Sequence, residues 1–247
     1  MFRVPRGRSV RAMIILACIM GMLLALVGLG RANAGGTEIP RGTPITACPY
    51  VISMPGEYYL AANLIDCAGT AITISASNVR LMMMGFQVHR ASGNGIHVRN
   101  ASKVSIEGPG LVESAVYGIV LDNADVSAVK GVRARSNMRG IVVERGSDGN
   151  QIMFNEMMDN RTDGLSLTAS TNNKVRNNAI SRNRLYGVIV RSTAPRNVLD
   201  RNEAQGNGFQ DLYDEGAPRC VSTWSSNDFG TDNETGAGAG PTGGCIR

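Results

Sequence analysis

A short apolar phrase returns along this chain every 22 to 24 residues. A small residue followed by two alternating apolar positions appears as Ala71-Ile72-Thr73-Ile74, Gly95-Ile96-His97-Val98, Gly118-Ile119-Val120-Leu121, Gly140-Ile141-Val142-Val143, Gly164-Leu165-Ser166-Leu167 and Gly187-Val188-Ile189-Val190. A related unit, Asp211-Leu212-Tyr213-Asp214, follows Gly187 by 24 residues. Two other apolar pieces recur at 22 to 26 residues, one through Val79, Val104, Val126, Ile152, Val175 and Val198, the other as Asn155-Glu156-Met157, Asn178-Ala179-Ile180 and Asn202-Glu203-Ala204. Repetition on this scale constrains the fold more than any single motif does. No stretch sustains a 3.6-residue period, which excludes helical repeats. The unit is too short for a propeller blade and lacks a leucine-rich consensus. What remains is an all-β, right-handed parallel solenoid with three short strands per turn. It has about seven coils over residues 71–216, each rising about 4.8 Å, the spacing between neighbouring strands.

Asn137, Asn160, Asn183 and Asn207 recur at 23, 23 and 24 residues, each just before a first strand. Asparagine tolerates left-handed backbone at a sharp turn, and its amide can bond to the same group one coil away. The spacing therefore predicts a structural ladder at one corner of the coil.

The coils that begin at Asn137-Met138-Arg139-Gly140-Ile141-Val142-Val143 have a specific look, as do the leading segment Cys48-Pro49-Tyr50-Val51-Ile52 and the closing residues Cys220, Trp224, Asn227-Asp228-Phe229 and Cys245-Ile246. Over residues 44–247 the chain resembles the right-handed parallel β-helix family of the pectate-lyase-like superfamily, in its bacterial exported form. The resemblance implies the fold and is nearly silent on activity.

Solenoid ends expose unpaired strand groups and need covering. The non-repeating segments 35–70 and 217–247 are expected to be an N-terminal and a C-terminal cap, with residues 230–244 forming a loose loop. Cys48, Cys67, Cys220 and Cys245 fall in these segments. Three pairings are open, and Cys48–Cys67 with Cys220–Cys245, one near each end, is the expected one. No Cys-x-x-Cys spacing points to zinc.

Residues 1–34 read as a secretory signal peptide: a basic start, an apolar run over Ala12–Leu29 and a small-residue exit at Ala32-Asn33-Ala34. Export agrees with paired cysteines. The segment also explains the charge. The chain carries 25 Lys+Arg against 20 Asp+Glu, and the five-charge excess equals the five arginines of residues 1–34. The remainder is neutral overall, which removes the argument for a nucleic-acid partner, and no membrane contact is expected after cleavage. Locally, residues 174–201 hold seven bases and one acid, while 203–234 hold seven acids and one base. Sequence order is axial order in a solenoid, so a basic band should abut an acidic end.

Aligning the repeat gives outward columns on the first strand. One reads Arg99, Asp122, Glu144, Thr168, Arg191 and Glu215; a second reads His97, Val120, Val142, Ser166, Ile189 and Tyr213; the position before the small residue gives Asn94, Tyr117, Arg139, Asp163, Tyr186 and Gln210. Asp122 and Glu144 lie one coil apart and are the candidate catalytic pair, as nucleophile and acid in glycoside cleavage. They can also hold Ca²⁺ bridging an acidic sugar; no other cofactor is indicated. His97, Arg99, Arg139, Arg145 and Arg191 are candidate partners for a uronate carboxylate, and Tyr117 and Tyr186 for stacking on a sugar ring. The competing account is a solvated charge ladder, with Arg99 beside Asp122 and Glu144 beside Arg145.

Catalytic signatures of the resembled family are missing: no Asn-Thr-Asp, Asp-Asp or Gly-His-Gly, no Trp-x-Asp-His and no Asp-Pro-His. Met82-Met83-Met84 would interest a soft metal, because a β-helix protein that assists periplasmic copper insertion is similar in fold. Successive strand residues alternate faces, however, so core filling is expected. The expectation is an exported monomer that binds envelope or extracellular polysaccharide, anionic ones included, along an elongated face without catalysis. The alternatives are a polysaccharide lyase or glycoside hydrolase using Asp122 and Glu144, and a purely structural envelope protein.

Overall fold

A computed structural model describes residues 41–234 and 244–247. The expected signal peptide, residues 35–40 of the expected N-terminal cap, and residues 235–243 of the expected loop lie outside the described residues. Every strand pairing is parallel, and no helix occurs among the described residues. The strands form a β-solenoid of eight turns. Its first face is an eight-stranded sheet: Tyr50–Ile52, Ile72–Ile74, Ile96–Ser102, Tyr117–Asp125, Arg139–Glu144, Leu165–Leu167, Tyr186–Val190 and Gln210–Asp214. The second and third faces join into one fifteen-stranded sheet, because Ser105–Glu113 and Ala128–Arg135 run through both.

The turn count exceeds the seven expected because the ladder starts earlier. Tyr50–Ile52 pairs in register with Ile72–Ile74, and Gly56–Leu60 with Val79–Met82. Pairing backbone groups satisfies the edge that a separate cap would otherwise cover. Thr223–Ser225 and Asp228–Phe229 extend the other end in the same way. Disulfides join Cys48 to Cys67 and Cys220 to Cys245, the pairing that connects near neighbours at each end.

The interior is a set of stacked aliphatic columns. Ile72, Ile96, Ile119, Ile141, Leu165, Val188 and Leu212 occupy equivalent registers and are fully buried. Each such side chain contributes about 1.5–3 kcal/mol through removal from water. The small residue that opens each phrase has a packing reason. A Cβ at Gly140 would collide with the carbonyl of Gly164 and approach the Asn160 amide, and one at Gly164 would stand 2.7 Å from Asn183 Nδ2 and 2.8 Å from the Gly187 carbonyl.

Asparagine ladders occupy three corners, where one was expected. Asn137, Asn160, Asn183 and Asn207 form the first: the backbone N–H of each donates to the Oδ1 of the next, at 3.0, 3.1 and 3.0 Å. Asn155, Asn178, Asn202 and Asn227 form the second. Asn150, Asn173, Asn197 and finally Ser222 form the third. The ladder residues are not left-handed themselves. The left-handed position is the residue before: Ser136, Asp159, Arg182 and Gly206 precede the first ladder, with φ of 55°, 55°, 54° and 69°. That kink turns the chain through the corner and leaves the asparagine free to face inward, where its amide meets otherwise unpaired backbone groups.

The described part of the expected loose loop is tied down: Gly230 and Thr231 donate to Asp211, and Asn233 to the Asp214 carbonyl.

Candidate functional site

The first face carries the candidate residues in register. Asp122 is the Cα partner of Arg99 on one side and Glu144 on the other, and Tyr117 of Arg139. The column His97, Val120, Val142, Ser166, Ile189 is also in register. Val120, Val142 and Ile189 are nevertheless buried, while remaining outside the interior cluster. They divide the outward residues into two groups along the edges of the face.

At one edge, Asp122 Oδ2 accepts from Arg145 Nη1 at 3.3 Å and lies 3.2 Å from His97 Nε2. Arg145 Nε is also 3.9 Å from Glu144 Oε1. The pairing departs in part from the one expected: Glu144 does lie beside Arg145, and Arg99 is in register with Asp122 without pairing to it. Arg99 has no ion pair among the described residues, and Arg145 reaches back one coil to Asp122. The cause is the corner: Asn100, Asn123 and Arg145 are all left-handed, with φ of 49°, 49° and 55°. The corner turns at these residues, and Asn123 Nδ2 donates to Asn100 Oδ1 at 2.9 Å. His97, Arg99, Asn100, Asp122, Asn123 and Arg145 line an open hollow of about 500 Å³. Asn100 and Asn123 are absent from the sequence-based candidates. Only the left-handed turn brings them to the hollow, though each stands one residue beyond a candidate.

At the other edge, Arg139 Nε lies 3.1 Å from Asp163 Oδ2, and its guanidinium carbon sits 5.6 Å from the centre of the Tyr117 ring. Asp163 is 3% exposed. Burial pushes its carboxyl above the ordinary carboxylate range, against the pull of Arg139. Asp163 Oδ1 has no hydrogen-bond partner among the described residues. Tyr186 packs 5.4 Å from Phe209 and 4.8 Å from Tyr213, centre to centre, and burial raises its phenol. Both tyrosines expected to stack on sugar thus have intramolecular neighbours. Arg191 stands three coils from Asp122, about 14 Å along the axis, and lies 3.6 Å from Glu215. The Ser192 backbone N–H, donating to Glu215, holds that carboxyl below its usual range.

Stacking pairs four of the seven bases of the band over 174–201, while Lys174, Arg184 and Arg196 have no ion pair among the described residues. Asp159 pairs with Arg182, Asp200 with Arg176 and Arg201, and Glu215 with Arg191. Asp159 and Glu215 come from neighbouring coils, whereas Asp200 is the segment's own acid.

Together, coil stack, corner ladders and polar outer face define a right-handed parallel β-helix protein. More particularly, a family model described as periplasmic copper-binding protein (NosD) matches residues 56–229, and the chain belongs to that family of exported, periplasmic proteins. A mannuronan C5-epimerase from Pseudomonas putida is 32% identical over 78 residues, which is 32% of this chain and 15% of the epimerase. Among solved structures, a periplasmic alginate epimerase AlgG shares 20% identity with a TM-score of 0.51, over 73% of this chain and 57% of that one. A DFA-IIIase from Arthrobacter chlorophenolicus A6 shares 13% with a TM-score of 0.59, over 72% and 51%. The Dettilon tailspike protein shares 15% with a TM-score of 0.57, over 74% and 42%. These likenesses establish the fold; the chain spans about half of each structure and less of the epimerase sequence.

The family description implies copper, and the described residues do not fit a soft-metal site. All four described cysteines are in disulfides. Met83 and Met157 are buried in the core, Met84 is exposed, and Met158 Sδ accepts from Arg182. His89 pairs with Glu113 and His97 with Asp122, on different faces. Among the described residues, Cys220, Glu234 and Cys245 alone gather three His, Cys, Asp or Glu donor atoms, and those sulfurs are bonded to each other.

Proposed function

We propose that this exported protein binds an anionic polysaccharide at the His97–Arg145 corner of its first face and does not turn it over. The observation that carries the reading is the cationic hollow itself. Arg99 lacks an ion-pair partner among the described residues, Arg145 is 71% exposed, and both adjoin the hydrogen-bonding amides of Asn100 and Asn123. Guanidinium groups are suited to carboxylates because two parallel N–H donors match two oxygens. The relatives named for mannuronan and alginate point the same way.

Catalysis by Asp122 and Glu144 is disfavoured because Arg145 lies within reach of both carboxylates and His97 occupies the same oxygen of Asp122. A hydrolase needs one of the two carboxyls free to donate a proton to the leaving oxygen. The opposing reading, a lyase or hydrolase, draws on the proximity of His97 to Asp122, an arrangement that can also accept a proton. No Ca²⁺ enters the binding reading, so a chelator leaves affinity unchanged.

Calorimetry with oligouronates and with neutral dextran, beside assays for reducing ends and unsaturated products, tests the proposal. Arg99→Ala and Arg145→Ala are expected to lose about tenfold in affinity each, the scale of one hydrogen bond to a charged group. Binding should weaken with added salt. Turnover abolished by Asp122→Asn would overturn it in favour of the enzyme. Absence of any glycan binding would leave the structural envelope role.

A further inference from the structure

A second hollow lies beside the first. It measures about 230 Å³ and is lined by Ser77, Asn100, Ala101, Ser102, Asn123 and Asp125. Asn100 and Asn123 line both hollows, so the two form one continuous groove around the left-handed corner. The bond from Asn123 Nδ2 to Asn100 Oδ1 uses only half of each amide. Asn100 Nδ2 and Asn123 Oδ1 have no partner among the described residues, and both residues line the two hollows.

The halves differ in chemistry. The first has Arg99, Arg145 and His97 around the single acid Asp122. The second has no cation. Its Ser77 and Ser102 hydroxyls bond to each other at 3.3 Å, and Asp125 uses Oδ1 to accept from the backbone N–H of Asp148. A carboxylate, hydroxyls and amides suit the hydroxyl groups of a sugar, and the Asp125 charge repels a carboxylate.

The direction follows from register. The hollows are displaced by two to three residues along paired strands, about 8 Å, and by one coil along the axis, about 4.8 Å. A chain following the axis toward the C-terminal end would instead meet Glu144 in the next coil and then Thr168. Glu144 is the acid met on that path as Asp125 is on the oblique one, but it lies 3.9 Å from Arg145 and lines neither hollow.

We infer that the bound polysaccharide crosses the coils obliquely, and that its repeat joins an acidic sugar, held by Arg99 and Arg145, to an uncharged sugar read through its hydroxyls by Ser102 and Asp125. The inference rests on the proposed binding function and names the ligand class for that same site.

Calorimetry with two length series tests it: homo-oligouronates, and hyaluronan oligosaccharides in which a uronate alternates with an uncharged amide-bearing sugar. The alternating chains should bind several-fold more tightly at equal length, with affinity saturating at a short oligosaccharide. Asp125→Asn keeps the acceptor for the Asp148 N–H and removes the charge, so it should raise homo-uronate affinity and close most of the gap. Thr168→Ala should change neither series. Equal affinity for both series in the unsubstituted protein, or a loss in Thr168→Ala matching that in Arg99→Ala, would overturn the oblique path and leave the binding function standing. Failure of both series to bind, with circular dichroism unchanged, would overturn the binding function and this inference with it.

Discussion

The side-chain amide of Asn207 donates to Oδ1 of Asp211 at 2.7 Å, and that contact ends an asparagine ladder on a carboxylate. The backbone N–H of Asn207 reaches the same oxygen at 3.0 Å. Oδ2 accepts from the N–H groups of Gly230 and Thr231 and from the Thr231 hydroxyl. Five donors converge on a group that is acceptor-only when ionised. Asp211→Asn would turn an NH₂ toward donors on one side or the other. It is therefore expected to cost about as much as Asp211→Ala, roughly 1–3 kcal/mol for each buried group left unpaired. Urea midpoints of the two variants check this; an Asn variant as stable as the parent would contradict the acceptor-only requirement.

Gly164 illustrates the close approach of coils. A methyl group there meets the Gly187 carbonyl, the Asn183 amide and the Ile180 side chain. Gly164→Ala is expected to destabilise by about 1–3 kcal/mol, the scale of overpacking in a rigid core. Arg133→Ala, at an exposed side chain with no ion pair among the described residues, should stay within about 0.5 kcal/mol. Parallel denaturation of both variants decides whether the small residue is required by packing.

Asp163 gives a pH dependence of definite sign. Burial raises its folded-state affinity for a proton above that of the unfolded chain. Between the ordinary carboxylate range, about 4, and its raised folded value, the folded state binds more protons, so its contribution to stability falls as pH rises. Asp159, Glu107 and Glu215 have lowered values, and their stabilisation is lost only as pH falls through that lower range. Asp163→Asn should thus gain stability relative to the parent as pH increases from about 4 toward neutrality. Matched urea titrations across that range measure it, and parallel curves would remove the claim.

Cys48–Cys67 closes a loop with a sequence separation of 19 at the first turn. Cys48→Ser with Cys67→Ser should lower stability by about 3 kcal/mol, the chain-entropy estimate for loops of this size. Differential scanning calorimetry of the double variant is the measurement, with the wild-type protein, both disulfides intact, as the reference.

The solenoid was legible in the sequence because its determinants are local and repeated. Alternating apolar pairs at 22–24 residues specify which side chains point inward, and that period alone aligns Asp122 with Glu144, the register the strands adopt. The first asparagine ladder was visible for the same reason. Asn155, Asn178 and Asn202 recur at the same period, but spacing alone did not show that they, like Asn150, Asn173 and Asn197, turn their amides inward at a corner.

The candidate site was only half legible. Its residues could be named from their columns, yet their partners could not. Arg145 follows Glu144 in sequence and pairs more closely with Asp122. Asn100 and Asn123 meet across 23 residues. The sequence by itself determined the repeat and the inward column of the first face. The tertiary structure alone decided which charges neutralise one another and where the groove bends. Those contacts depend on the left-handed corner residues and on side-chain reach between coils, and neither leaves a periodic trace in the chain.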